Sequence, residues 1–153
     1  VESGLLASVF TLISLPYSLT VPSLTTRLSD QKRHLMLVIL VGAGILGVAM
    51  LLVPTSNFFY WLIINALIGS CVSALFPYLM VTFSMKSTTP EKTAQLSGLS
   101  QTGGYIFAAL GPILFGYSKS LFHSWTPAVV LLLILTLIMA FALYQVEKVD
   151  KIL

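Results

Sequence analysis

The sequence predicts an all-α membrane protein of five transmembrane helices, and three observations carry that prediction. Hydrophobic residues make up 57% of the 153-residue chain and charged residues only 8%, against about 25% charged in an ordinary soluble domain. A chain of this size has too little interior to hide so much apolar side chain from water, so much of it must face lipid. The charges also fall in clusters: none of Asp, Glu, Lys or Arg occurs between Arg33 and Lys86, between Lys92 and Lys119, or between Lys119 and Glu147. Each interval is longer than the ~20 residues a helix needs to cross a bilayer. Finally, these runs lack the polar-apolar alternation of an outer-membrane barrel, which leaves the helix as the spanning element.

The elements follow in order. An uncharged stretch from Ser3 to Thr26 predicts a first span at 4–24. The interval after Arg33 holds two spans, 35–53 and 58–83, divided by the turn chemistry of Pro54, Thr55, Ser56 and Asn57. A fourth span is expected at 97–117 and a fifth at 126–146. Phe58, Phe59, Tyr60 and Trp61 follow one turn, and Tyr117, Phe122 and Trp125 surround another. Such rings favour the headgroup zone and read as anchors. Five spans put 25–34, 84–96 and 147–153 on one side, with Arg27, Lys32, Arg33, Lys86, Lys92, Lys148 and Lys151, and leave Lys119 alone on the other. The positive-inside rule makes the basic side cytoplasmic, in a cytoplasmic (plasma) membrane, with the amino terminus outside. A chain that opens on Val1 and starts outside is expected to be part of a longer bundle.

Polarity sorts the spans. The second has no side-chain hydrogen-bonding group and the fifth has only Thr126, Thr136 and Tyr144, so both are expected against lipid. The first carries Ser8, Thr11, Ser14, Tyr17, Ser18 and Thr20, the third Asn65, Ser70, Ser73, Tyr78 and Thr82, and the fourth Ser97, Ser100, Gln101, Thr102 and Tyr105. Polar groups in hydrocarbon need partners, so these three spans are expected to line the bundle interior or a wet cavity. Asn65, Ser73, Tyr78, Gln101 and Tyr105 are the candidate solute contacts.

Asn65, Gly69, Ser73 and Pro77 recur every four residues and share a helix face, as do Ser100, Gly104, Ala108, Pro112 and Gly116. Small residues at that spacing point first to close helix packing. Pro16, Pro77 and Pro112 each remove a backbone hydrogen bond within a span. Together with Gly69, Gly103, Gly104 and Gly111 they form the hinge or packing set.

Several chemistries are excluded. Residues 42–47 read GAGILG and match a dinucleotide fingerprint in letters only, because no carboxylate lies between Asp30 and Glu91. Glycines there favour helix packing. No metalloprotease, nucleophile-elbow or phosphate-loop motif occurs, His34 and His123 stand in separate loops, and Cys71 is the one cysteine. No enzyme, cofactor, metal site or nucleic-acid surface is expected. Apart from Cys71 and the tyrosines, no ionisable residue is expected within a span.

Three passages resemble the carboxy-terminal half of a major facilitator superfamily transporter, in its cyanate permease and nitroimidazole-transporter branch: SLPYSLTVPSLTTRLSDQKRH, ALFPYLMVTF, and LSGLSQTGGYIFAALGPILFGY followed by SW. The first looks like helix eight and the basic loop behind it, where Arg27, Lys32 and Arg33 match the family's loop motif, while Thr26 stands for its Asp, and Pro22 and Ser29 for its glycines. The others are similar to helices ten and eleven. The resemblance implies helices eight to twelve, with helix seven and the amino-terminal half as partners outside the chain. It also implies alternating-access transport of a small solute, a small anion such as cyanate or a compact organic molecule. The rival reading is a five-helix membrane subunit or scaffold that binds a protein partner, with a channel behind it.

Overall fold

A computed structural model describes residues 2–149 and folds them into five helices: α1 (Glu2–Arg27), α2 (Asp30–Met50), α3 (Phe58–Lys86), α4 (Pro90–Phe122) and α5 (Thr126–Lys148). Among the described residues there is no strand, and all five helices are long and apolar enough to cross a membrane. Lys151, one of the basic residues used for orientation, lies outside the described residues.

The helices outrun the expected spans at the basic end. α2 begins at Asp30 rather than 35, α3 continues to Lys86 rather than 83, and α4 begins at Pro90 rather than 97. Hydropathy marks the stretch that sits in hydrocarbon, whereas the hydrogen-bond ladder runs on until a cap ends it. For α4 that cap is Thr89, whose side chain accepts the Lys92 N–H at 3.3 Å while Pro90 occupies the first turn. The loops expected at 25–34 and 84–96 thus shrink to Leu28–Ser29 and Ser87–Thr89. At the other end α2 stops at Met50 rather than 53, and Leu51, Leu52 and Val53 form a turn. Pro54 disfavours helical backbone at the residue before it.

That turn is stapled by the ring cluster behind it. The Tyr60 hydroxyl donates to the Met50 carbonyl at 2.8 Å, and Trp61 Nε1 donates to the Thr55 carbonyl at 3.0 Å. Asn57 caps α3 by accepting the Phe59 N–H at 2.9 Å. The aromatic group expected to anchor the helices therefore also locks the α2–α3 hairpin.

α3 is the central helix, packed on α1, α2 and α4, and α5 lies against α2 and α4. The core gathers Val21 of α1, Leu37, Leu40 and Val41 of α2, Cys71, Ala74, Leu75 and Tyr78 of α3, and Leu143 of α5. Two glycines of the GAGILG run set the α2–α3 distance. A Cβ at Gly44 would stand 2.5 Å from Cys71 Sγ, and one at Gly47 would stand 2.8 Å from Ile68 Cγ1. Bare backbone at both positions lets the helices approach and gain dispersion contact.

Burial is uneven across the bundle. Of the α2 and α3 spans 33% is buried, against 17% of α5 and 6% of α1 and of α4. α2, with no polar side chain to satisfy in its span, buries Leu37, Leu40 and Val41 on one face and turns Leu35, Val38, Ile39 and Leu46 outward. α1 and α4 are left as the two open walls.

Candidate functional site

A groove of about 470 Å³ runs between α1 and α3, lined by Ser14, Ser18 and Pro22 on one side and Ser73, Phe76, Pro77, Met80 and Val81 on the other. Positions 14, 18 and 22 lie four apart, as do 73, 77 and 81, so each set faces the same way along its helix. Serine and proline side chains are too short to fill the space between the helices, and the gap follows from that. From α4 the half-buried Gln101 reaches one of the lining residues, its Nε2 lying 3.7 Å from Met80 Sδ. Tyr105, one turn further along α4, is 70% exposed.

Ser73 and Met80 line the same groove about two turns apart on α3, and Gln101 touches its Met80 end. Asn65 lies two turns from Ser73 on α3 and donates its amide to the Trp61 carbonyl at 2.8 Å. Tyr78 is set apart from the other candidates. It is 1% exposed, and its hydroxyl donates to Glu147 of α5 on the far side of α3. The structure gives it the geometry of an interhelix tie.

The hydroxyls of α1 find partners without any cavity. Ser8, Thr11, Ser14, Ser18 and Thr20 donate to carbonyls of their own helix at 2.6–3.0 Å, and Ser70 of α3 does the same at 2.7 Å. Serine and threonine need a wet surface less than Gln101 does, because back-bonding to the preceding turn satisfies a hydroxyl in any medium. It also leaves their oxygens able only to accept.

The basic end holds a cluster that sequence reasoning missed. Lys86, 8% exposed, donates through Nζ to the carbonyls of Val146 and Val149 at 2.6 Å and of Glu147 at 3.1 Å, capping the carboxyl end of α5. Arg33 of α2 pairs with Asp30 at 2.7 Å and reaches Glu147 at 3.7 Å. Lys86 and Glu147 lie just beyond the expected spans 58–83 and 126–146, in the stretches by which α3 and α5 run on past the hydropathic core. One signal was available: Tyr78, Thr82 and Lys86 recur every four residues. Of the loop residues matched to the family motif, Arg33 joins this cluster, while Arg27 and Lys32 stay exposed.

The small residues divide by role. Gly69 packs on α1, since a Cβ there would meet the Phe10 ring at 3.2 Å. Pro16, Pro77 and Pro112 all lie inside continuous helices, as does Pro22. A Cβ at Gly103, Gly104, Gly111 or Gly116 would meet nothing within 4 Å. Of the α4 stripe expected to pack closely, Gly104 and Gly116 thus have no neighbour within Cβ contact among the described residues, and Ala108 lines a hollow shared with α5. Gly44 and Gly47 of the letter-only fingerprint perform the packing instead.

The sequence profile of the Major Facilitator Superfamily matches residues 1–152. One relative, the uncharacterized transporter YycB of Bacillus subtilis (strain 168), is 32% identical over 143 residues, 92% of this chain and 34% of the relative. Another, a Thauera aromatica protein provisionally named an anionic 4-hydroxy-benzoate permease, is 34% identical over 74 residues, 48% of this chain and 43% of that protein. The match thus covers less than half of each of these curated relatives, 34% of one and 43% of the other. No solved structure matches.

Proposed function

The chain belongs to the major facilitator superfamily, and from that premise we propose that it forms one wall of a secondary carrier that moves a small solute by alternating access. The observation that carries this reading is the openness of α1 and α4. These helices bear most of the hydroxyl, amide and phenol groups of the bundle yet are the least covered by the other three. A second bundle facing them would enclose the α1–α3 groove and the Gln101–Tyr105 face of α4 between two halves, where carriers of this architecture place their solute.

The proposed contacts are Gln101 and Tyr105 as hydrogen-bonding groups at the open face, Ser73 and Asn65 behind them, and Phe76 and Met80 as the apolar bed. An aromatic or otherwise flat organic solute suits that bed, since a thioether and a ring edge both favour aromatic contact. The relative named for an anionic 4-hydroxy-benzoate supports a compact aromatic acid. A smaller anion such as cyanate is the second solute to assay. The basic end is assigned to the cytoplasm by its lysines and arginines.

The test is uptake into proteoliposomes by the intact protein, assayed with 4-hydroxybenzoate and with cyanate. Gln101→Leu and Tyr105→Phe are each expected to lower uptake at least tenfold for the true solute, the factor that about 1.4 kcal/mol of lost hydrogen bonding corresponds to. Unchanged uptake in both variants removes the α4 face from the solute path. Stable capture of a protein partner with no uptake of any solute would support a scaffold instead.

A further inference from the structure

On the side of α1 away from the candidate site a second groove, of about 460 Å³, opens between α1 and α2. We propose that it holds one acyl chain of an anionic phospholipid, with Lys32 at its mouth engaging the headgroup phosphate. Three features select that occupant. The walls are mostly apolar and face outward: Leu24 of α1 and Leu35 and Ile39 of α2 line the groove and are exposed, and besides Lys32 the polar side chains in the lining are Tyr17 and Thr20 of α1, the latter back-bonded to its own helix. Lys32 is the one charged residue in the lining, and it stands at the basic end where the groove begins. Of the other charges near that end, Arg27 is exposed but does not line the groove, and Asp30 and Arg33 pair with each other and line a separate hollow with Lys86 and Glu147.

Depth distinguishes a lipid from a partner helix. Along α2 the groove runs from Lys32 to Leu40, eight residues or roughly 12 Å at the helical rise. A bilayer's hydrocarbon is about 30 Å thick, so the groove is one leaflet deep. A transmembrane partner would need a seam of twice that length, whereas an acyl chain hung from a phosphate at Lys32 ends where the groove ends. The groove floor is closed by Val21 and Leu40, both buried in the core.

Native mass spectrometry of the intact, delipidated protein titrated with phosphatidylglycerol or phosphatidylcholine of identical chains tests the proposal. The first phosphatidylglycerol should bind about fivefold tighter than phosphatidylcholine, the factor expected from one basic residue beside an anionic headgroup. Lys32→Gln should bring the two lipids level, Lys32→Arg should keep the preference, and Leu24→Trp, which fills the groove and leaves the charge, should weaken both. Lys92→Gln at the same end should change nothing. Equal affinity of the parent for the two lipids, a preference that survives Lys32→Gln, or an equal loss in Lys92→Gln would each overturn it. The measurement involves no solute, so its outcome stands apart from that of the uptake assay.

Discussion

Substituting Gly44 by alanine tests the α2–α3 seam most directly, because the same six-residue run supplies its own control. The added Cβ would lie 2.5 Å from Cys71 Sγ and 3.0 Å from Cys71 Cβ. Rotating χ1 moves the sulfur aside, but the Cβ is fixed by the α3 backbone, so relief requires the helices to separate by several tenths of an ångström. Overpacking of that kind costs about 1–3 kcal/mol. Gly42→Ala meets nothing within 4 Å and replaces the poorest ordinary helix former with the best, so it should be neutral or stabilising. Thermal unfolding of the detergent-solubilised intact protein, followed by circular dichroism, should therefore rank Gly42→Ala at or above the parent and Gly44→Ala several degrees below it. Cys71→Gly, which removes both clashing atoms, should recover most of the Gly44→Ala loss, although the glycine itself costs up to about 1 kcal/mol in the helix. If Gly44→Ala matches Gly42→Ala, or if Cys71→Gly destabilises the alanine variant as much as it does the parent, the seam does not set the helix separation.

Further outcomes are expected elsewhere in the bundle. Lys86→Met strands the Val146, Glu147 and Val149 carbonyls at the end of α5, so amide hydrogen exchange over the last turn of α5 should accelerate at least tenfold while α1 exchanges as before. Tyr78→Phe removes only the bond to Glu147. It should cost about 1 kcal/mol of stability and leave uptake of the transported solute unchanged, whereas a large uptake loss at unchanged stability would return Tyr78 to the solute path. Gly69→Leu, which must displace the Phe10 ring at 3.2 Å, should lower stability by about 1–3 kcal/mol, and Phe10→Ala should recover part of that loss in a double-mutant cycle.

Some of this was readable from residues alone, and the reason is that the bilayer acts locally. A run such as 126–146 must be a helix because its backbone can satisfy its hydrogen bonds in hydrocarbon only within itself, and that decision uses no distant residue. The turn at Pro54 to Asn57 and the basic end at Arg27 to Arg33 were readable for the same reason. The candidate site was only partly so. Ser73 does line a groove whose Met80 end Gln101 touches, but the serines and threonines of α1 announced a wet wall that their back-bonds do not require, and the Tyr78 hydroxyl is bonded to Glu147 of α5.

What the sequence by itself determined was the number of helices, their approximate extent and the end on which charge collects, each a property of consecutive residues. What only the tertiary structure decided was which faces meet. Lys86 caps carbonyls 60–63 positions away, and Tyr78 bonds a residue 69 positions away. Gly44 rather than Gly104 became the packing glycine, because α3 offers Cys71 to one and no described helix approaches the other. Periodicity identifies a face, but the partner of that face is set by the packing of whole helices, in which every residue on both surfaces takes part.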